Sequence, residues 1–275
     1  MNNVVFLPET IIIKDAENFD LEQTLDCGQA FRWRKNDKNR WCGVAGGKYI
    51  VIYQKNGDIV IENSNRKDFE EFWSDYFDLK RDYSSIIKEF SADDTLKRAA
   101  DFSSGIRILN QEPWEALCSF IISQNNNIPR IKGIIDRLCQ NFGERILDTY
   151  SFPGAERLSV LTVEDLSVIR SGFRAKYIID AAKRVSSGEI DLNSLKNLSY
   201  EVAKSVLLKI KGVGPKVADC ALLYGCGHTE AFPKDVWIKR ALDEFFCGKI
   251  PEAATKNAGI AQQYIFYYMR EKSKI

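Results

Sequence analysis

Alternating apolar and polar positions between Gln29 and Glu62 predict a series of short strands. The apolar runs FRWR, RWCGVA, KYIVIYQ and IVIE are separated by the polar stretches NDKN and KNGD. Asn56-Gly57 lies between two runs rich in β-branched residues, and this dipeptide is typical of a hairpin turn that needs positive φ at both central positions. The pattern therefore predicts an antiparallel sheet in the N-terminal part of the chain.

After about Lys67 the apolar residues recur every three or four positions, which predicts helices. Pro113 fits the first position of one helix, and a second helix begins at Pro129 and closes at Gly143. Thr162 with Asp165 resembles a capping box, opening a short helix that closes at Gly172. Further helices are predicted over 175–185 and 202–210, from Asp235, and from about Gly259 to the C-terminus.

These patterns predict an α+β fold with two domains. Residues 1–108 form an N-terminal antiparallel β domain with trailing helices, and residues 109–275 form a larger all-helical domain. The change from strand to helix spacing falls between Asn63 and Asn110.

Composition narrows the functional classes only slightly. Lys and Arg number 39 against 38 Asp and Glu, so any binding site for an anionic polymer has to be a local patch. The sequence has no run of about 18 apolar residues, and its N-terminus lacks a basic region followed by a cleavage site. We expect a monomeric cytoplasmic protein that has no membrane contact.

The cysteine and histidine content excludes several kinds of site. The seven cysteines are scattered without CxxC spacing, which argues for buried thiols in a reducing compartment and against a zinc site or an iron–sulfur cluster. His228 is the one histidine, and its loop, GCGHTE, predicts a solvated side chain. A multi-histidine metal site is therefore excluded.

The stretch KGVGPKVADC predicts a tight turn between two helices. Two glycines allow the chain to reverse, and the amides near Gly212, Gly214 and Lys216 should be unpaired because the second helix begins at Pro215. Such amides bind phosphate oxygens without sequence preference. An ordinary helix–helix turn explains the glycines equally well, but Lys216 is unexpected at a helix N-terminus, which disfavours a cation.

The longer motifs resemble a known family. LLKIKGVGPKVADC, with the later aspartate of AFPKDVW, resembles the helix-hairpin-helix DNA glycosylase superfamily, and CGQAFRWR and SFIISQNNNIPRIKGIIDRLCQNFG resemble its 8-oxoguanine DNA glycosylases. The similarity runs from about Cys27 to Phe266. It implies that the helical domain is a helix-hairpin-helix glycosylase domain. It also implies that the protein removes 8-oxoguanine from duplex DNA and cleaves the strand by β-elimination. No redox cofactor is implied, although the carbonyls of residues 211–214 are expected to hold a monovalent cation.

The resemblance makes Lys216 the nucleophile that attacks the sugar C1′ and forms a Schiff base. An amine attacks only when neutral, and an ordinary lysine is neutral in about one molecule in a few thousand at pH 7. A helix dipole contributes only about 0.3 to 1 kcal/mol, so desolvation in a closed pocket has to favour the neutral form. The alternative is a solvated lysine near a DNA phosphate.

Asp235 is predicted to cap the helix that follows it, and the resemblance adds a catalytic role. A carboxylate there stabilises an oxocarbenium-like sugar or assists proton transfer. Since a close ion pair would hold Lys216 as the ammonium, we expect the two groups to flank the sugar.

For the extruded base, the resemblance implies a stacking wall at Phe266, a second wall at Cys220 and a hydrogen-bonding partner at Gln262. The alternative for Gln262 and Phe266 is an aromatic-rich core helix, which is the plainer explanation of Phe266, and Cys220 alone would be assigned to the core. We expect Gly28 to sense the lesion, because its carbonyl would accept the N7–H of 8-oxoguanine and repel the N7 lone pair of guanine. A glycine at the start of a strand is the plain alternative.

The resemblance also assigns contacts to DNA. Asn125 fills the gap left by the base, while Arg130 and Arg174 contact the opposite cytosine. One residue of Asn125–Asn127 is expected to cap the next helix, and phosphate contact or surface charge is the alternative for both arginines.

The chain departs from the animal members at two positions. Trp237 stands where they carry a histidine, and Tyr224 where they carry a methionine. Two other functions remain open: a glycosylase for another base, and a non-catalytic DNA-binding module that uses the hairpin to hold phosphates. The expected partner is double-stranded DNA containing 8-oxoguanine.

Overall fold

The computed structural model of the chain describes residues 3–273. Its strands are β1 (Val4–Leu7), β2 (Thr10–Ile13), β3 (Arg34–Lys35), β4 (Trp41–Ala45), β5 (Lys48–Lys55), β6 (Asp58–Glu62), β7 (Arg145–Ile146) and β8 (Thr149–Tyr150). The first six strands form an antiparallel sheet in the order β1-β2-β6-β5-β4-β3, and the last two form a separate hairpin.

The predicted sheet is confirmed, and it extends further than the sequence indicated. The strands expected between Gln29 and Glu62 are β3 to β6, whereas β1 and β2 were not predicted. These two strands add to the sheet beyond β6, with Ile11 opposite Ile61. Asn56 and Gly57 have φ of +52° and +84°, so the predicted turn has the positive dihedrals that join β5 to β6.

The sheet carries a core rich in aromatic rings. Trp33 packs against Trp73 and Phe77, and its Nε1 donates to the Tyr76 hydroxyl at 3.0 Å. A side chain at Gly43 would lie 2.6 Å from the Trp33 ring, so this strand accepts only glycine there.

Helices make up most of the remaining chain. The α-helices are α1 (Leu21–Asp26), α2 (Arg66–Asp68), α3 (Ser74–Tyr76), α4 (Tyr83–Phe90), α5 (Asp94–Phe102), α6 (Pro113–Ser123), α7 (Ile128–Phe142), α8 (Ala155–Ser159), α9 (Ala175–Ser186), α10 (Tyr200–Leu207), α11 (Pro215–Cys226), α12 (Val236–Phe245) and α13 (Ala258–Lys272). A π-helical turn covers Phe69–Trp73, and 3₁₀ turns cover Asp165–Ile169, Gly172–Arg174, Leu195–Asn197 and Glu252–Asn257. The predicted α+β class is therefore confirmed.

The second core joins helices from both parts of the chain. Helix α11 packs on α6, and α13 packs on both α5 and α12. Helices α4 and α5 share this core, since the Phe90 ring contacts Tyr264 edge-on at 6.0 Å between centroids. The C-terminal helix is thus fixed against the helical body and reaches the glycine turn after α1.

Two predictions of local structure need correction. The capping box exists, because Asp165 Oδ2 accepts the Thr162 amide at 2.8 Å and the Asp165 amide donates to Thr162 Oγ1 at 3.1 Å. The turn is a 3₁₀ helix that ends at Arg170, not at Gly172, because Arg170 itself adopts the left-handed conformation with φ of +58°. His228 is not solvated: it is buried, with Nε2 3.0 Å from Leu195 O.

Between residues 3 and 273, no helix has the length and apolar character needed to cross a membrane.

Candidate active site

The turn between α10 and α11 uses its two glycines differently. Gly212 has φ of +81°, and a side chain there would lie 2.4 Å from the Tyr177 ring, so the fold requires glycine. Gly214, the N-cap of α11, has φ of −96°, and a side chain there would meet no atom within 4 Å. The fold therefore does not explain Gly214, and the open space beside it admits a ligand.

The amides predicted to be unpaired are unpaired in this turn. Those of Gly212, Gly214 and Lys216 donate no hydrogen bond to any residue that the structure describes. The Lys211 amide donates to Asp180 Oδ2 at 2.8 Å, which attaches the turn to α9. The turn thus presents several N–H donors on a rigid support, as a phosphate site requires.

Lys216 lies in the first turn of α11 with a half-buried side chain. Its Nζ lies 5.1 Å from the centroid of the Phe120 ring and 3.4 Å from Ser123 Oγ. The Ser123 hydroxyl donates to Phe120 O at 2.8 Å, so it can only accept from the lysine. The amine is therefore held by weak contacts, including one with the Cys220 thiol, and forms no ion pair with a carboxylate of the described residues.

Asp235 is the N-cap of α12, as predicted. Its Oδ1 accepts the Ile238 amide at 2.8 Å. Burial raises the pKa of this carboxyl above its ordinary 3.8, while the capping bond and the nearby Lys216 act in the opposite direction. Asp235 and Lys216 are thus close enough to interact without forming an ion pair, and both line the same cavity.

A cavity of about 50 Å³ collects all six residues predicted to act in catalysis or base recognition. It is lined by Gly28, Lys216, Cys220, Asp235, Gln262 and Phe266, together with Phe120, Tyr224, Pro233 and Gln263. Several of these residues also line a cleft of about 940 Å³, so the cavity is the floor of that cleft. The cavity of about 50 Å³ is much smaller than the cleft of about 940 Å³ into which it opens, and Phe266 lines both. Phe266 is the half-buried wall.

One buried side-chain oxygen in this cavity has no hydrogen-bond partner among the described residues. Gln262 is 4% exposed, and its Oε1 accepts no hydrogen bond from the described residues. An unpaired buried acceptor costs about 1–3 kcal/mol, so such atoms usually have a ligand or a water to bind. Cys220 lines the same cavity as a neutral thiol, because burial raises its pKa to about 11.

Gly28 brings bare backbone to the cavity wall. Its φ is +90°, and a side chain there would lie 3.2 Å from Ile128 Cδ1 and 3.6 Å from Phe266 Cε1. Both the dihedral angle and the space therefore favour glycine.

The loop between α6 and α7 carries the predicted DNA-contacting asparagine. Asn125 is exposed at the cleft with φ of +46°, a left-handed conformation that asparagine tolerates. Asn127 is the expected N-cap, because its Oδ1 accepts the Arg130 amide at 3.0 Å. The side chain of Arg130 is exposed beside this loop.

Arg174 is buried beneath that loop, which excludes a simple surface charge. Its guanidinium donates to Gln124 O at 2.8 Å, Asn125 O at 3.0 Å and Ser171 O at 3.0 Å. In this arrangement it supports the loop that presents Asn125, and a contact with DNA stays a prediction.

A buried ion pair lies behind the lysine. Asp219, one turn after Lys216 on α11, is 5% exposed and pairs with Lys204 Nζ at 2.7 Å. The Tyr200 hydroxyl also donates to Asp219 Oδ1, at 2.7 Å. Asp219, Lys204 and Lys216 all line a cavity of about 600 Å³. The positive charge of Lys204 therefore compensates the negative charge of Asp219, the buried carboxylate on α11 in that cavity.

The turn between α10 and α11 has carbonyl oxygens that can serve as ligands for a monovalent cation. The carbonyls of Ile210 and Gly214 accept amides at 3.0 Å, but those of Lys211, Gly212 and Val213 accept none from the described residues. Neutral oxygens suit a monovalent cation, so the residues fit the expectation. Across residues 3–273 no cluster of three or more histidine, cysteine or acidic side chains is placed to hold a metal.

Sequence reasoning did not place Phe120, Ser123 or Gln263 at this site. Phe120 and Ser123 look like ordinary core and C-terminal positions of an apolar helix. Gln263 follows Gln262 directly, and no periodic signal separates the two glutamines. These residues become recognisable only when α6, α11 and α13 are brought together.

Two family models together match most of the chain. Residues 11–117 match the 8-oxoguanine DNA glycosylase N-terminal domain, and residues 118–258 match the HhH-GPD superfamily base excision DNA repair protein.

Curated proteins and solved structures agree with these matches. The chain is similar to the Clostridium acetobutylicum 8-oxoguanine glycosylase/lyase solved with duplex DNA containing cytosine opposite 8-oxoguanine, with 38% identity, a TM-score of 0.93 and 99% of both chains covered. A probable N-glycosylase/DNA lyase of Methanothermobacter thermautotrophicus is 32% identical over 92% of each chain. The Saccharomyces cerevisiae N-glycosylase/DNA lyase is 32% identical over 80% of this chain and 66% of its own length, so the chain spans just under two thirds of that relative.

Proposed function

The chain belongs to the 8-oxoguanine DNA glycosylase family of the HhH-GPD superfamily, and we propose that it excises 8-oxoguanine from double-stranded DNA and then cleaves the strand. One observation carries the proposal. An amine, a carboxylate and the unpaired buried oxygen of Gln262 line one cavity at the bottom of a cleft. A nucleophile, a charged assistant and a base-reading acceptor are what base excision requires in one place.

The proposed reaction starts with the neutral Lys216 amine, which attacks C1′ of the extruded nucleotide. The bond from C1′ to the base breaks, and the base leaves with the electron pair and takes up the proton that the attacking amine releases. The Asp235 carboxylate stabilises the positive charge that develops on the sugar. The C1′–O4′ bond then breaks, O4′ takes a proton from water, and the opened sugar is left as a protonated Schiff base. Loss of a proton from C2′ expels the 3′ phosphate and cleaves the strand.

Recognition of the base follows from the cavity walls. Phe266 and Cys220 enclose the ring from opposite sides, while Gln262 Oε1 accepts a proton from its Watson–Crick edge. The Gly28 carbonyl accepts the N7–H that 8-oxoguanine carries and guanine lacks. Asn125 and Arg130, both exposed at the α6–α7 loop, contact the gap and the opposite cytosine.

The unpaired amides at Gly212 and Gly214 hold a phosphate of the damaged strand. The carbonyls of Lys211, Gly212 and Val213 would hold a monovalent cation, which would add positive charge beside that phosphate. We place the protein in the cytoplasm as a monomer that acts on chromosomal DNA without a redox cofactor.

Base release tests this function directly. The protein is incubated with two duplexes that differ only in 8-oxoguanine or guanine opposite the same cytosine, and free base is measured by mass spectrometry. We expect free 8-oxoguanine from the first duplex and no guanine from the second. Equal affinity for both duplexes at every salt concentration, with no release, would identify a lesion-blind DNA-binding module instead.

A further inference from the structure

The turn after α1 holds nearly all of its carbonyl oxygens with side chains. Three of the four carbonyls from Asp26 to Gln29 accept a side-chain donor: Asp26 O from Arg270 Nη2 at 3.1 Å, Cys27 O from Gln263 Nε2 at 3.2 Å and Gln29 O from Gln111 Nε2 at 2.7 Å. Gly28 O is the exception, because it accepts no hydrogen bond from any described residue. The turn is therefore fixed on both sides of one free acceptor at the cavity.

Gln263 is itself fixed by a tyrosine. The Tyr224 hydroxyl donates to Gln263 Oε1, which leaves the Gln263 amide group to donate to Cys27 O. Tyr224 and Gln263 are 3% and 2% exposed, so neither group exchanges its partner for bulk water. The Tyr224 ring stacks on Phe120, with centroids 5.2 Å apart and an angle of 19° between the planes. The relay from ring to glutamine to backbone is thus rigid.

We propose that Tyr224 and Gln263 form a hydrogen-bond relay that positions the Gly28 carbonyl and thereby sets the preference for 8-oxoguanine over guanine. This inference rests on the proposed excision of 8-oxoguanine. Tyr224 and Gln263 are positioning residues in it, since they act on the base through the backbone of Cys27.

The relay affects the preference because one contact, between the Gly28 carbonyl and N7 of the base, depends on distance. A carbonyl discriminates the two bases by attracting an N7–H and repelling an N7 lone pair, and both effects weaken as the oxygen moves away. Gly28 has no side chain to lock its conformation and sits at φ of +90°. The position of the Gly28 carbonyl therefore depends on the preceding peptide, between Cys27 and Gly28. Gln263 holds that peptide through its hydrogen bond to Cys27 O.

The other groups facing the relay do not replace it. Arg270 binds the preceding carbonyl, Asp26 O, and Gln262 Oε1 is free to meet the base from another side of the cavity. Removing the Tyr224 hydroxyl leaves Gln263 Oε1 without its donor, so the amide is free to turn and the Cys27 bond is lost or weakened. The cavity walls stay in place because the phenyl ring remains.

The test compares binding to matched duplexes in a Lys216→Gln background, which prevents covalent chemistry. The ratio of affinities for 8-oxoguanine and guanine opposite cytosine is measured for the background protein and for the same protein with Tyr224→Phe, Gln263→Leu or both. Loss of one net hydrogen bond corresponds to about a threefold to tenfold change, so we expect the ratio to fall by that factor in each single variant. The double variant should lose no more than the larger single loss, because the two residues act as one unit.

Tyr264→Phe is the matched control. Tyr264 is a buried tyrosine on α13, the helix that carries Gln263; its hydroxyl donates to Ile106 O at 3.3 Å, and it does not line the cavity. The ratio of affinities for 8-oxoguanine and guanine should be the same in the Tyr264→Phe variant as in the background protein. An unchanged ratio in folded Tyr224→Phe, or additive losses in the double variant, would overturn the relay. A background protein with no preference for the lesion would instead contradict the proposed function itself.

Discussion

Replacing Asp235 by asparagine and by alanine separates the helix cap from the chemistry of the carboxylate. Asparagine keeps the length of the side chain and an oxygen that can accept the Ile238 amide, whereas alanine removes the acceptor. Neither variant carries a charge. The two substitutions therefore differ in stability but should share a catalytic defect.

The stability difference follows from the bond between Asp235 Oδ1 and the Ile238 amide, at 2.8 Å. Replacing an N-cap aspartate by alanine costs about 0.5–2 kcal/mol, which corresponds to a fall in Tm of about 2–4 °C per kcal/mol in a chain of this size. Asparagine caps as well as aspartate and removes a buried charge, so Asp235→Asn should melt within about 2 °C of the original protein.

The catalytic defect should be much larger than the difference in stability. A carboxylate that assists proton transfer or stabilises developing charge contributes about 10²–10⁴-fold in rate. The assay is single-turnover release of 8-oxoguanine opposite cytosine with enzyme in excess, beside thermal melting of each protein. Because burial raises the pKa of Asp235, the acid limb of the original protein's rate profile should lie above pH 3.8, with the rate falling as the carboxylate is protonated.

Two results would refute this reasoning. Full excision by Asp235→Asn would reduce the residue to a helix cap. A fall in Tm as large for asparagine as for alanine would mean that the capping bond to Ile238 does not account for the stability of α12.

Three further predictions address the neighbourhood of the lysine. Lys204→Met leaves the buried Asp219 carboxylate without its cation in a cavity that Lys216 also lines, so the single-turnover rate at pH 7 should fall several-fold. Lys204→Met/Asp219→Asn should restore the rate, and an unchanged rate in folded Lys204→Met argues against the idea. Gly214→Ala meets no atom of the protein, so affinity for duplex DNA should fall at least threefold at moderate salt with little change in Tm, whereas unchanged affinity would exclude phosphate binding there. Gly28→Ala should reduce the preference for 8-oxoguanine over guanine in competition binding, and a retained preference would remove its sensing role.

Local signals in the sequence predicted most of the fold. The Asn56-Gly57 turn, the Pro113 helix start and the Asp235 cap depend on residues within a few positions of each other, and all three are confirmed. The strands β1 and β2 were missed because four residues are too few to establish an alternating pattern. His228 was placed in solvent because nothing nearby in sequence shows that Leu195 O would cover it.

The site residues were predicted from the resemblance to the glycosylase family. The contacts that support them were predicted neither from local patterns nor from that resemblance. The predicted residues come together at one cavity, yet the contacts that hold them join positions far apart. Ser123 is 93 residues from Lys216, and Cys27 is 236 residues from Gln263. No local pattern in one sequence reports such a pairing. Arg174 shows the same limit, because its burial under the Asn125 loop depends on tertiary packing.

Borohydride trapping on an 8-oxoguanine:cytosine duplex tests the central claim most directly. The intact protein and Lys216→Gln are each incubated with the labelled duplex and reductant, and covalent complexes are separated on a denaturing gel. A band from the intact protein that disappears in Lys216→Gln is the predicted result, since it identifies the Schiff base and its amine together. An equal band from Lys216→Gln, or base release by the intact protein without any band, would contradict the assignment of Lys216 as the nucleophile.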